Sequence, residues 1–205
     1  MRVGRRRVAR LIAIVAVVTG CGVAQDPVAT DGPVDVVQAF MAARNAGDVD
    51  RAMSYLAEEG SIFGVGIHLD DNRDVLAETF RAQVRAGWSG EDADCEVDGE
   101  WVICRYRQAD DILRRWALEL TGRHRYAVRD GKIAFAERVH DPAAQKAVYD
   151  AAAAFREWVA AEQPDQEAVI WIDRTSALYT TTEGVDAILG LLEEYDVHLR
   201  RDSDE

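Results

Sequence analysis

The sequence predicts an α+β fold, on three observations. Apolar residues recur at helical spacing over residues 33–57 and again over 70–87. From 91 to 140 the pattern changes to alternation, broken at Asp98-Gly99 and Asp130-Gly131, two pairs that favour tight hairpin turns. Beyond Pro142 an Ala-rich stretch returns to helical spacing. No strand–helix–strand alternation appears, which argues against a parallel α/β sheet.

Each element has its own signal. Residues 33–45, PVDVVQAFMAARN, place Val36, Val37, Phe40, Met41 and Arg44 on one stripe. Asn45-Ala46-Gly47-Asp48 ends that helix, and Asp48 caps a second over 49–57 that presents Ala52, Met53 and Leu56. Residues 61–65 read as a short strand. A third helix over 70–87, capped by Asp70 or Asp71, buries Val75, Leu76, Thr79, Phe80 and Val84. A hairpin covers 91–107. Over 118–129, Leu118, Leu120, His124, Tyr126 and Val128 point one way, and Glu119, Thr121, Arg123, Arg125 and Arg129 the other. The returning strand, 132–140, carries Ile133, Phe135 and Glu137 on the inward parity. Three helices broken by one strand therefore precede a four-stranded antiparallel meander. In the last part Val148, Ala152, Phe155 and Val159 share a stripe with Trp158 beside it, and Pro164 is a stop. A final helix over 186–195 carries Ile188, Leu189, Leu191 and Leu192, and 202–205 is an acidic tail.

The chain has 205 residues, 24 Lys plus Arg against 37 Asp plus Glu, and a net charge of −13. Five of the arginines and none of the acids lie in the first 20 residues, so the remainder carries 19 bases against 37 acids. So acidic a body excludes ordinary nucleic-acid binding, which needs cations to replace the counterions on phosphate. The first 20 residues read as an address: Arg2, Arg5, Arg6, Arg7 and Arg10, then the apolar run LIAIVAVV over 11–18. That run is too short for an ordinary membrane span. Val18-Thr19-Gly20-Cys21 resembles a bacterial lipobox. The resemblance implies cleavage before Cys21 and diacylglycerol on its sulfur, with two acyl chains giving a stable anchor. The expected organisation is a signal peptide over 1–20, a tether over 21–32, one domain over 33–140 and a helical extension over 141–205. The expected location is the extracytoplasmic face of a bacterial membrane. The arginine run also allows a twin-arginine export route.

Only Cys95 and Cys104 remain in the mature chain. A hairpin loop at Gly99-Glu100 sets Cys95 opposite Cys104, whereas a loop at Asp98-Gly99 sets it opposite Val102. Two cysteines in an exported domain favour a disulfide. Closing so short a loop is worth about 2–3 kcal/mol in the chain-entropy model.

Residues 36–50, VVQAFMAARNAGDVD, resemble the opening of NTF2-like domains, the superfamily of SnoaL-like polyketide cyclases and ketosteroid isomerases. Gly122-Arg123-His124-Arg125-Tyr126, with Val128, Gly131, Lys132 and Ile133, is similar to its closing hairpin. The resemblance covers about 33–140. It implies a cone: a curved, mostly antiparallel sheet wrapping the N-terminal helices around an open-ended apolar pocket. It also implies positions for the isomerase groups. The Tyr donor falls at Phe40, which has no hydroxyl. The Asp base falls near Gly64, and the neutral Asp near His124. Steroid isomerisation is therefore not expected, and His124 is the one suggestive group left.

Two functions are carried forward. The first is a non-catalytic binding module, holding a small apolar ligand in a pocket lined by Phe40, Trp101, Trp116, Tyr126 and Phe135, or docking a protein partner on the sheet face. Homodimerisation stays open. The second is a SnoaL-type isomerase, cyclase or hydratase in which Glu137 sets the tautomer of His124. No cofactor or metal is expected: His68 with Asp70 and Asp71 lacks a third dedicated ligand, and Cys95 and Cys104 have no nearby His. The hydroxyl-rich run 175–182 lacks the partners of a nucleophile.

Overall fold

The computed structural model describes residues 32–62, 67–167 and 181–203. Helices α1 (Pro33–Asn45) and α2 (Val49–Ser54) are followed by strands β1 (Leu56–Ile62) and β2 (Ile67–His68) and helix α3 (Leu69–Arg85). Strands β3 (Ser89–Asp98) and β4 (Trp101–Ala109), helix α4 (Asp111–Arg115) and strands β5 (Leu120–Arg129) and β6 (Lys132–His140) complete the sheet region. Helices α5 (Pro142–Glu162) and α6 (Thr182–Ser203) close the chain. The sheet has order β2-β1-β6-β5-β4-β3. Its pairs are antiparallel except β1 against β6, which is parallel. The α+β class holds, with α1 to α3 on one face of a mostly antiparallel sheet.

Local chemistry explains the boundaries. Asp48 accepts a hydrogen bond from the Arg51 backbone N–H at 3.1 Å and so caps α2. That helix stops at Ser54 rather than at 57, because Tyr55 and Leu56 turn into the core and Leu56 already pairs with Ile133. The first strand therefore begins five residues earlier than expected. Val36, Val37, Phe40 and Met41 of α1 meet Leu76 and Phe80 of α3 over Val102, Cys104, Tyr126, Ile133 and Ala136 of the sheet. Val75 and Val84, expected inside, lie at the edges of the α3 stripe and are exposed. Ala82 and Ala86 instead form a second buried face of that helix, against Val185 of α6. Arg44 is buried among rings, its guanidinium 3.9 Å from the Trp88 centroid and 4.6 Å from that of Phe80.

The C-terminal helices build a core of their own. Phe155 and Val159 of α5 and Ile188, Leu191, Leu192 and Tyr195 of α6 enclose Ile112 of α4. Salt bridges from Arg85 to Asp186 (2.6 Å) and from Arg115 to Asp196 (3.0 Å) fix α6 along α3 and α4. The last helix runs longer at both ends than its apolar run suggested, since exposed acidic and basic turns extend it. Residues 1–31, which hold the expected signal peptide and Cys21, lie outside the described residues, as do Gly64 and 175–180.

Candidate functional site

Four strands present a polar network inside the sheet. Tyr126 and His124 of β5 alternate inward, as expected from parity. Arg138 of β6 stands opposite His124, and Cys104 of β4 stands opposite it on the other side. Asp92 of β3 stands opposite Tyr106 of β4. The side chain of Asp92 is 1% exposed and that of His124 6%.

The bonds assign the protons. Arg138 Nε–H donates to His124 Nε2 at 2.9 Å. An arginine nitrogen cannot accept, so Nε2 carries the lone pair and Nδ1 the proton. Nδ1–H donates to Asp92 Oδ1 at 2.7 Å, and the Tyr126 hydroxyl donates to Asp92 Oδ2 at 2.5 Å. The Tyr126 oxygen also lies 2.8 Å from Nδ1. The Tyr106 ring stacks on the imidazole, centroids 4.1 Å apart and 5° from parallel, and its hydroxyl bonds to Nδ1 of His140. One carboxylate and one guanidinium balance within the cluster.

Burial dominates the titration of this cluster. It pushes His124 down to about 4, against the opposing bond to Asp92. It raises Tyr126 well above the usual phenol range, and Tyr106 to about 12. His140, half-buried, is lowered for the same reason. His124 is thus a neutral imidazole at pH 7 with both nitrogens engaged.

Glu137 does not join His124. It pairs with Arg125 at 3.0 Å on the opposite face of the sheet. The cause is a bulge in β6: Val128 pairs with Ile133 and Ala127 with Phe135, leaving Ala134 unopposed. Ile133 faces in, but beyond the bulge the parity reverses, so Phe135 and Glu137 face out while Ala136 and Arg138 face in. The expected pocket residues disperse for related reasons. Phe40 is core. Tyr126 belongs to the polar network. Trp101 and Phe135 meet edge to face at 5.4 Å on the outer face, with Arg125 4.5 Å over the indole. Trp116 lies in the second core, 6.2 Å from Phe155. The structure thus places these five residues in different parts of the fold.

A void of about 10 Å³ lies beside Arg44, Phe80 and Trp88. A larger open depression of about 410 Å³ is lined by Glu91, Arg105, Arg107, Thr121, Gly122 and Asp141. No three potential metal ligands cluster among the described residues. Asp92, Arg138 and Tyr106 were not foreseen. Asp92 sat in an acidic run and Arg138 on the wrong parity, and only the two bulges bring them inside. The disulfide joins Cys95 to Cys104, with Asp98 opposite Trp101, as the Gly99-Glu100 loop requires.

No protein-family model and no curated protein matches the chain. Solved structures similar to it include an NTF2-like protein of unknown function from Cytophaga hutchinsonii, at 15% identity and TM-score 0.41, covering 54% of this chain and 90% of that one. A putative polyketide cyclase from Sinorhizobium meliloti is similar at 21% identity and TM-score 0.41, covering 51% and 94%. An M. tuberculosis epoxide hydrolase of LEH-like type is similar at 20% identity and TM-score 0.45, covering 56% and 87%.

Proposed function

We propose that this chain is a lipid-anchored, extracytoplasmic NTF2-like domain that acts by binding rather than by turnover. The carrying observation is the saturation of His124. Its base nitrogen accepts from Arg138, its proton goes to Asp92, and its burial keeps it neutral. A general base needs a free lone pair within reach of a substrate proton. Here the acid–base groups of the interior are spent on one another, as in a network that rigidifies a core. The signal-like N-terminus and Cys21 supply the membrane attachment.

Native mass spectrometry of the acylated protein, extracted in mild detergent, tests binding. A co-purifying small molecule or a partner of defined stoichiometry supports it. A bare monomer, with no crosslinked partner in cells, overturns it. Metabolic labelling with an alkyne fatty acid tests the anchor. The label and membrane fractionation must both vanish in Cys21→Ala.

A second reading rests on one feature, the inward turn of Asp92 beneath His124 at 2.7 Å. If Arg138 swings away, Asp92 and His124 form an acid–base pair suited to isomerase, cyclase or hydratase chemistry. Diethyl pyrocarbonate separates the two. Modification of His124 at the rate of an exposed imidazole favours turnover, and protection favours binding.

A further inference from the structure

Beyond the bulge at Ala134, Arg138 and His140 share the inner face of β6, two residues apart. Both stand against the Tyr106 ring. The Arg138 guanidinium carbon lies 5.4 Å from its centroid, and the His140 ring meets it edge to face at 5.9 Å. Each residue spends only part of its hydrogen-bonding capacity. Arg138 commits its Nε–H to His124 at 2.9 Å. Burial pushes the Tyr106 hydroxyl up to about 12, so it keeps its proton, and His140 Nδ1 is its one hydrogen-bond partner among the described residues. Burial, and then the Arg138 charge, lower His140, so its ring is neutral at pH 7. The hydroxyl therefore donates to Nδ1, and the imidazole carries its own proton on Nε2. Nη1 and Nη2 of Arg138 and Nε2–H of His140 are left without a partner among the described residues. Trp116 Nε1 is the one buried side-chain nitrogen without a partner among those residues, so solvent reaches all three of these donors.

We propose, resting on the binding reading above, that Arg138 and His140 together form the recognition site for the carboxylate of a small organic acid. One carboxylate oxygen accepts from the Arg138 guanidinium and the other from His140 Nε2–H. The two backbone positions are about 6.6 Å apart. Both side chains flank one ring, so a single carboxylate reaches both sets of donors. The bond to a buried imidazole fixes the guanidinium, which lowers the ordering cost of binding. No acid of the chain takes these donors. Asp92 lies behind the imidazole, on its Nδ1 side, and Asp141 turns to the Thr121 hydroxyl at 2.6 Å. Those two carboxylates also set the charge of the ligand. A monoanion adds one negative charge beside them, whereas a dianion such as phosphate adds two.

The test titrates hexanoate into the full mature chain at pH 7, with hexanol and inorganic phosphate in parallel at equal ionic strength. NMR follows the Arg138 Nε–H and His140 ring signals. The expected result is a saturable shift of both with hexanoate, none with hexanol and weaker binding of phosphate. Arg138→Lys keeps the charge but loses the planar fork, and His140→Phe keeps a ring but loses the donor. Each should weaken hexanoate about tenfold or more, the worth of one charge-assisted hydrogen bond. No saturable shift in the natural chain overturns the site, as does an equal response to hexanol, tighter binding of phosphate, or full affinity in both variants. If Arg138→Lys fails to fold, the natural chain and His140→Phe decide. Native mass spectrometry keeps the two failures apart. A neutral co-purifying molecule or a protein partner, without a hexanoate response, overturns the acid site and leaves the binding reading standing. A bare monomer without a hexanoate response overturns both.

Discussion

Arg138 donates its Nε–H to Nε2 of His124 over 2.9 Å, and that bond occupies the one nitrogen with which the imidazole could take a proton. Protonating the ring breaks the bond and sets two cations side by side. Arg138→Met removes both penalties and leaves the burial, which is the larger cause of the low pKa. The titration of His124 should then move up from about 4 without reaching the ordinary 6.5. A pH series of imidazole NMR shifts checks this. An unmoved midpoint would mean that Arg138 does not act on the ring.

The same burial makes stability pH-dependent. The folded state holds His124 near 4, against 6.5 for the ordinary side chain. Between those values the unfolded chain binds the proton first, so stability falls as pH drops from 6.5 towards 4 and levels off below. At about 1.4 kcal/mol per pKa unit, the loss is about 3 kcal/mol. His140 adds to it with the same sign. Urea midpoints at pH 7.5 and 4.5 should differ less in His124→Asn than in the natural chain, with the His140 share remaining.

Asp92 and Glu137 should behave very differently when truncated. Asp92→Ala strips partners from the buried Tyr126 hydroxyl and His124 N–H, leaving two buried donors unsatisfied, at a cost of about 2–5 kcal/mol. The Arg125–Glu137 bridge is more than a third exposed at both ends, so its Coulomb gain is screened by solvent. Glu137→Ala should cost less than about 1 kcal/mol. Equilibrium denaturation of the two variants measures the contrast. Equal losses would place the two carboxylates in like environments, which their registers exclude.

The parts of the fold legible in the sequence are those governed by local chemistry. The α1 stripe, the Asp48 cap, the Asp130-Gly131 turn and the inward alternation of His124 and Tyr126 each rest on residues within one element. The candidate site is less legible because it depends on two bulges. One extra residue at Ala134 sends Glu137 outward and Arg138 inward, and one at Asp94 brings Asp92 in. Neither position carries a glycine or any other local marker, so parity counting passes straight through them. Docking of the C-terminal helices was illegible for a related reason. Ala82 and Ala86 are fully buried against Val185, but alanine on an α3 face gives no sign of what will cover it.

Two indoles, Trp88 and Trp116, make a final contrast. Trp88 Nε1 donates to Gln108 Oε1 at 3.4 Å, and its ring stacks with the Arg44 guanidinium. Trp116 Nε1 is buried with no partner among the described residues. Changing Trp116 to Phe removes an unsatisfied donor, a gain of about 1–3 kcal/mol, and loses some packing, a cavity cost of about 1 kcal/mol. The two effects offset, so Trp116→Phe should leave stability unchanged within about 1 kcal/mol or raise it. Trp88→Phe loses packing too, but it also orphans the buried Gln108 oxygen and weakens the cation–π contact, so it should cost about 2 kcal/mol or more. Urea unfolding of both variants at pH 7.5 reads the difference. A larger loss at Trp116 than at Trp88 would show that the free indole N–H does not set the balance in the second core.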